Sequence, residues 1–129
     1  MSDDILTLVW FKRDLRVLDH APLTEAAEIG RVLPVYVIEP EVIEAADFDA
    51  LHWDFIRESL IDLNASLEEL GVSLFIQQGE VCDVFRRLHQ RFGFSQISAH
   101  EETGNALSYR RNRRLANWAQ AAGVALKET

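Results

Sequence analysis

The side chains of this 129-residue chain best suited to metal or proton chemistry are four histidines, His20, His52, His89 and His100, and one cysteine, Cys82, among 21 carboxylates. A metal site needs imidazoles and thiolates at short, regular spacing; these histidines are scattered, so no metal is expected. Cys82 stands in Glu80-Val81-Cys82-Asp83-Val84-Phe85, which reads as the buried side of a helix, where a thiol packs rather than reacts. No serine occupies a nucleophile elbow, no Gly-x-Gly-x-x-Gly follows the first apolar run and no Gly-Lys-Ser/Thr loop occurs. The usual acyl-transfer nucleophile and the phosphate cradles of dinucleotide and P-loop chemistry are therefore missing, and independent catalysis is not expected. The densest mix of aromatic and charged groups lies directly after the apolar run Ile5 to Val9. It reads Trp10-Phe11-Lys12-Arg13-Asp14-Leu15-Arg16, then Asp19-His20-Ala21-Pro22-Leu23.

The elements that must position these residues alternate. Short, nearly continuous apolar runs at Ile5 to Phe11, Val32 to Ile38, Val72 to Gln77 and Gln96 to His100 read as strands covered on both faces, and Val124 to Thr129 as a fifth. Between them, helical spacing predicts a short helix near Pro22 to Ile29, a long one from Asp49 to Leu70, a third from Val81 to Phe92 and a last from Leu107 to Ala122. Gly71, Gly93 and Gly123 each follow the last residue of a predicted helix, as a left-handed stop requires. In the long helix Phe55, Leu60, Leu63, Leu67 and Leu70 form the expected core stripe. The fold class is thus α/β: a Rossmann-like open parallel sheet of five strands with helices on both faces, one domain over residues 1–129. In such sheets ligands gather beyond the carboxyl ends of the strands, where the aromatic and charged cluster falls.

The net charge of −8 opposes a nucleic-acid surface built by this domain alone, since phosphate contacts need clustered Lys and Arg. The local exception, Arg110, Arg111, Arg113 and Arg114, fans around a helix and reads as a solvated face rather than a phosphate groove, with interdomain contacts as a further reading. No apolar run approaches the length of a membrane helix and the opening Met1-Ser2-Asp3-Asp4 is acidic, so a cytoplasmic protein is expected.

The segment from Trp10 to Leu23 resembles the signature of the DNA photolyase/cryptochrome family, Trp-Phe-(Arg or Lys)-x-Asp-Leu-Arg followed by Asp-(Asn or His)-x-x-Leu. Two further segments match in order, Tyr36-Val37-Ile38-Glu39-Pro40 at the second strand end and His100-Glu101-Glu102-Thr103-Gly104-Asn105 after the fourth strand. Two departures are visible. Lys12 replaces the commoner arginine, keeping charge but losing the bidentate fork, and Arg111-Asn112 stands where many relatives place Arg-Asp.

The resemblance implies the amino-terminal α/β domain of a longer flavoprotein, its helical domain with FAD absent from this chain. That domain holds an antenna chromophore in the family: a folate, deazaflavin, lumazine or flavin. The candidate ligand residues are Phe11, Val37, Ile38, Glu39, His52, Glu101 and Asn105. Each has a plainer alternative: core for Phe11, Val37 and Ile38; surface or capping for His52; helix capping for Glu39, Glu101 and Asn105. Arg13, Asp14 and Arg16 are assigned to ion pairs within the turn or across a domain interface. The expected function is light harvesting in a photolyase that splits pyrimidine dimers, with DNA contacted only through the helical domain. The alternatives are a blue-light-signalling cryptochrome, a stand-alone nucleotide-binding domain, and a module that only braces the flavin domain.

Overall fold

The computed structural model describes residues 5–12, 14–40, 50–101 and 106–129, of which 50–52 and 106–108 are described by their backbone alone. Elements follow in the order β1 (Leu6–Phe11), α1 (Ala21–Ile29), β2 (Arg31–Ile38), α2 (Ala50–Glu69), β3 (Phe75–Gln78), α3 (Val81–Phe92), β4 (Gln96–Ala99), α4 (Ala106–Ala122) and β5 (Ala125–Glu128). All four strand pairings are parallel, and the order across the sheet is β3-β2-β1-β4-β5.

Each strand's two faces feed different cores, which is why the strand sequences are apolar without alternation. Leu8 and Trp10 of β1, with Val35, Val37 and Ile97, pack against Val84, Phe85 and Leu88 of α3 and Leu115 and Ala119 of α4. On the opposite face Val9 and Phe11 pack with Leu23 and Ala26 of α1 and Leu63 and Leu67 of α2. Helices therefore cover both sides. Cys82 is buried at the start of α3, where loss of hydration and the nearby Glu80 carboxylate push its thiol up to about 12.

The predicted elements are found with shifted ends, and the shifts have visible causes. The third strand begins at Phe75 rather than Val72 because the Val72 N–H donates to Leu67 O and the Leu74 N–H to Asn64 Oδ1, tying residues 72–74 back onto α2. The core stripe of α2 is narrower than its spacing suggests. Leu60, Leu63 and Leu67 are buried, but Phe55 and Leu70 are exposed. Phe55 lies roughly 140° around the helix from Leu60, and Leu70 sits in the terminal turn beyond the core. Gly71, Gly93 and Gly123 all take positive φ, as helix stops do. Among the described residues, no helix is long and apolar enough to cross a membrane.

Candidate ligand crevice at the carboxyl edge of the sheet

β1 is the central strand; the chain leaves it for β2 on one side and later reaches β4 on the other. This reversal places a crevice outside the carboxyl ends of β1 and β4, the usual ligand position in open α/β sheets. Two groupings of side chains occupy that edge.

The first is built on Asp14. Its Oδ1 accepts the Lys12 N–H at 2.8 Å, and its Oδ2 lies 2.6 Å from His20 Nε2 and 2.5 Å from His100 Nδ1. His20 is the N-cap of α1: its Nδ1 accepts the Leu23 N–H at 3.1 Å, and its ring packs between Phe11 and His100, centroids 4.6 and 4.5 Å away. Because Nδ1 is an acceptor, the ring proton is on Nε2, facing the carboxylate. The approach is too oblique for a straight hydrogen bond, so the attraction is chiefly electrostatic. Burial acts to raise the Asp14 carboxyl, but His20, the Lys12 N–H and His100 outweigh it and hold the group well below the usual carboxylate range.

The ligand-capable atoms of Asp14, His20 and His100 lie within 4.8 Å of one another, so the fold gathers two histidines that stand 80 positions apart in the chain. The donor set suits a divalent ion, yet the hydrogen bonding does not. A neutral imidazole that ligates through Nε2 carries its proton on Nδ1, and that nitrogen is already the acceptor capping α1. Ligation would leave two N–H groups facing each other, so the cluster is better fitted to pin the turn after β1 against the end of β4.

The second grouping is a cleft of about 170 Å³ beyond β2 and β3. Its floor is Glu39 and Pro40 after β2 and Gly79, Glu80 and Val81 at the start of α3; its wall is Arg110, Arg111 and Arg114 of α4. Gly79 has φ of 145°, a conformation L side chains rarely adopt, and its N–H donates to Ile38 O at 3.0 Å. Arg111 Nη1 donates to Glu39 Oε1 at 2.7 Å, a largely buried pair, and its guanidinium lies over the Trp10 ring at 4.9 Å. Lys12 approaches the same ring at 4.2 Å and donates through Nζ to His100 O at 3.0 Å. One point charge on one carbonyl is a task lysine performs without arginine's fork. Arg114 pairs with Glu80 Oε1 at 3.0 Å, while Glu80 Oε2 accepts the Asp83 N–H and caps α3.

The candidate residues are distributed unevenly over this edge. Glu39 lines the cleft. Phe11 is fully buried in the core against His20, and Val37 is buried in the opposite core. Ile38 is half-buried, with its carbonyl committed to Gly79. Glu101 is exposed outside the cleft, its N–H donating to Thr129 O. The side chain of His52, and Arg13 and Asn105 entirely, lie outside the described residues. Asp14 and Arg16 both serve the turn itself: Arg16 Nε and Nη2 donate to the carbonyls of Leu18 and Asp19. Sequence reasoning missed the contribution of Gly79 to Val81 and took the arginine run for a solvated face. The spacing of positions 110, 111 and 114, which share one side of a helix, was the available signal.

Five parallel strands with helices on both faces and a cleft at the carboxyl edge define an open Rossmann-like α/β domain, and sequence comparison narrows that class. The model of the DNA photolyase family matches residues 7–129. Cryptochrome DASH of Arabidopsis thaliana is 34% identical over 105 residues, covering 76% of this chain and 18% of the relative. Cryptochrome-2 of Gallus gallus is 31% identical over 116 residues, covering 89% and 20%. A class III photolyase from Agrobacterium tumefaciens superposes with a TM-score of 0.85 at 25% identity over 96% of this chain and 25% of that one. A photolyase from Sulfolobus tokodaii, whose structure contains two FAD molecules and implies a light-harvesting cofactor, gives 0.86 at 25% identity over 96% and 29%. The chain belongs to the DNA photolyase/cryptochrome family and corresponds to its amino-terminal α/β domain. It spans about a fifth of the length of the curated relatives it matches.

Proposed function

We propose that this chain is the light-harvesting domain of a photolyase or cryptochrome-like flavoprotein, holding an antenna chromophore at the carboxyl edge of its sheet. The observation that carries this is the cleft between Glu39, Gly79 to Val81 and the arginines of α4, a concave, mostly apolar site edged by charged side chains, at the edge where open α/β sheets bind ligands. Its volume is below the several hundred Å³ of a site enclosing a whole small molecule, so it receives part of a heterocycle. The rest lies against neighbouring surface or against a helical flavin domain such as the longer family members carry.

In this proposal the α/β domain absorbs light and passes the excitation to FAD in the helical domain. In this reading the chain's residues bind and orient the chromophore. In a photolyase parent, the reduced flavin then donates an electron that splits a pyrimidine dimer, with DNA contacted through the helical domain; a cytoplasmic setting suits that role. In a cryptochrome parent the same absorption drives signalling.

The test is the absorption spectrum of the whole protein encoded by the gene, with a light-dependent thymine-dimer repair assay. Flavin with a second chromophore and repair supports the antenna-bearing photolyase. Flavin with a second chromophore and no repair supports the cryptochrome. Flavin with an empty α/β domain overturns the antenna role in favour of a bracing module.

A further inference from the structure

We propose that the chain docks on a second copy of itself through its two helical layers, the acidic α1 and α2 layer of one copy against the arginine-rich α3 and α4 layer of the next. The proposal is independent of the antenna role. Although the chain carries a net charge of −8, its helical charges are sorted by face. α1 and α2 hold seven carboxylates and one arginine, Arg57, whereas α3 and α4 hold seven arginines and one carboxylate, Asp83. The two pairs of helices pack on opposite sides of the sheet. Six of the acids, Glu28, Asp54, Glu58, Asp62, Glu68 and Glu69, are exposed, and so are six of the arginines, Arg86, Arg87, Arg91, Arg110, Arg113 and Arg114.

Little of this charge is satisfied within the chain. Asp54 meets Arg57 only at 3.8 Å, Arg86 pairs with Asp83 and Arg114 with Glu80, all at the surface and hence weakly. Arg87, Arg110 and Arg113 have no ion-pair or hydrogen-bond partner among the described residues. The spacing matches as well as the sign. Asp54, Glu58 and Asp62 recur every four residues along α2, about 6 Å per step, and Arg87 with Arg91 and Arg110 with Arg114 repeat at the same step. Phe55 is 69% exposed and Ile61 63%, each three residues from Glu58, so the acidic stripe carries apolar surface of the kind a weakly hydrated guanidinium plane covers. The outer charges of the two layers are separated by the sheet and two helices of about 10 Å diameter, which exceeds the Debye length of about 10 Å at 0.1 M salt. Each face therefore acts on a partner by its own sign rather than by the net charge. Because the two matching faces lie on different sides of the molecule, the contact is head-to-tail and leaves one free face of each sign at its ends.

The experiment is sedimentation equilibrium of the 129-residue chain at neutral pH in about 0.1 M and about 0.5 M salt, with the folding of every variant checked by circular dichroism. In the lower salt the mean mass is expected to rise above that of one chain with concentration, and in the higher salt the dissociation constant should increase at least about tenfold. Asp54→Asn/Glu58→Gln/Asp62→Asn, which removes the acidic stripe, and Arg87→Gln/Arg91→Gln/Arg113→Gln, which depletes the basic face, should each stay monomeric alone. Mixed in equal amounts they should form a dimer and nothing larger, because only one matched pair of faces survives. A wild-type chain that is monomeric at about 1 mM in the lower salt overturns the proposal, as does self-association that salt leaves unchanged or that either variant retains. Capture of a single-stranded oligonucleotide by a wild-type chain that stays monomeric also overturns it and assigns the arginines to a nucleic-acid backbone instead.

Discussion

The two groupings at the carboxyl edge are made of similar residue types and are built to opposite ends. Around Asp14 the polar atoms turn inward: two imidazoles and a backbone N–H converge on one carboxylate that is 11% exposed. Around the cleft they turn outward, with Arg114 58% exposed and Arg110 at the mouth. The first spends its charges on the protein, joining the β1 exit to α1 and β4. In the second, Arg110 has no ion-pair partner among the described residues. One grouping thus holds the strand ends still, while the other presents charged side chains to solvent at a cleft.

Removing Asp14 tests that contrast most severely. Asp14→Ala leaves the His100 N–H and the Lys12 amide without their acceptor and the His20 N–H without its facing charge, and should cost about 3 kcal/mol in urea unfolding. A loss below about 1 kcal/mol would mean that the cluster does not hold the turn.

The acid limb of stability follows from the same group. Its carboxyl is lower in the folded chain than in the unfolded one, so its contribution is present above the ordinary carboxylate value near 4 and is lost as pH falls below it. Asp14→Asn should flatten the decline in unfolding free energy below that pH. An unchanged slope would assign the acid sensitivity to other carboxylates.

Smaller effects separate capping from charge within the cluster. His20→Ala removes the cap of α1 and the facing N–H together, about 2 kcal/mol, whereas His20→Asn restores a capping oxygen and should recover about half of that in thermal unfolding. Equal losses would show that the contact with Asp14 dominates.

The smallest effect belongs to the cleft. Arg114→Gln breaks an exposed pair and should move stability by no more than about 0.5 kcal/mol. A loss comparable to that of Asp14→Ala would erase the distinction between the two groupings.

The fold was legible because its signals are local. Apolar runs of strand length, helical spacing and glycine stops placed every described element within a few residues, and the errors arose where tertiary contacts intervened, as when Asn64 captured the Leu74 N–H and delayed β3. The site was less legible because it is assembled across the sheet. Glu39 could be picked out from a strand end, but its partner Arg111 is 72 positions away, and His100 meets Asp14 over 86. Phe11 shows the converse difficulty. Proximity to a strand's carboxyl end suggested a stacking surface, but its side of the sheet is covered by α1 and α2. At Arg111-Asn112 the arginine donates to Glu39 across the cleft at 2.7 Å and to Asn112 Oδ1 at 3.3 Å, a pairing that no local spacing announces.

The central place of β1 also sets a timetable for synthesis. Thr7 pairs with Gln96, so β1 gains its second neighbour only after about 90 further residues have been added. At 5–20 residues per second that interval is roughly 5 to 18 seconds, during which one edge of an apolar strand has no partner. Until β4 emerges the nascent chain carries an open, adhesive edge, and a holdase on the ribosome would find its binding segment at Leu6 to Phe11.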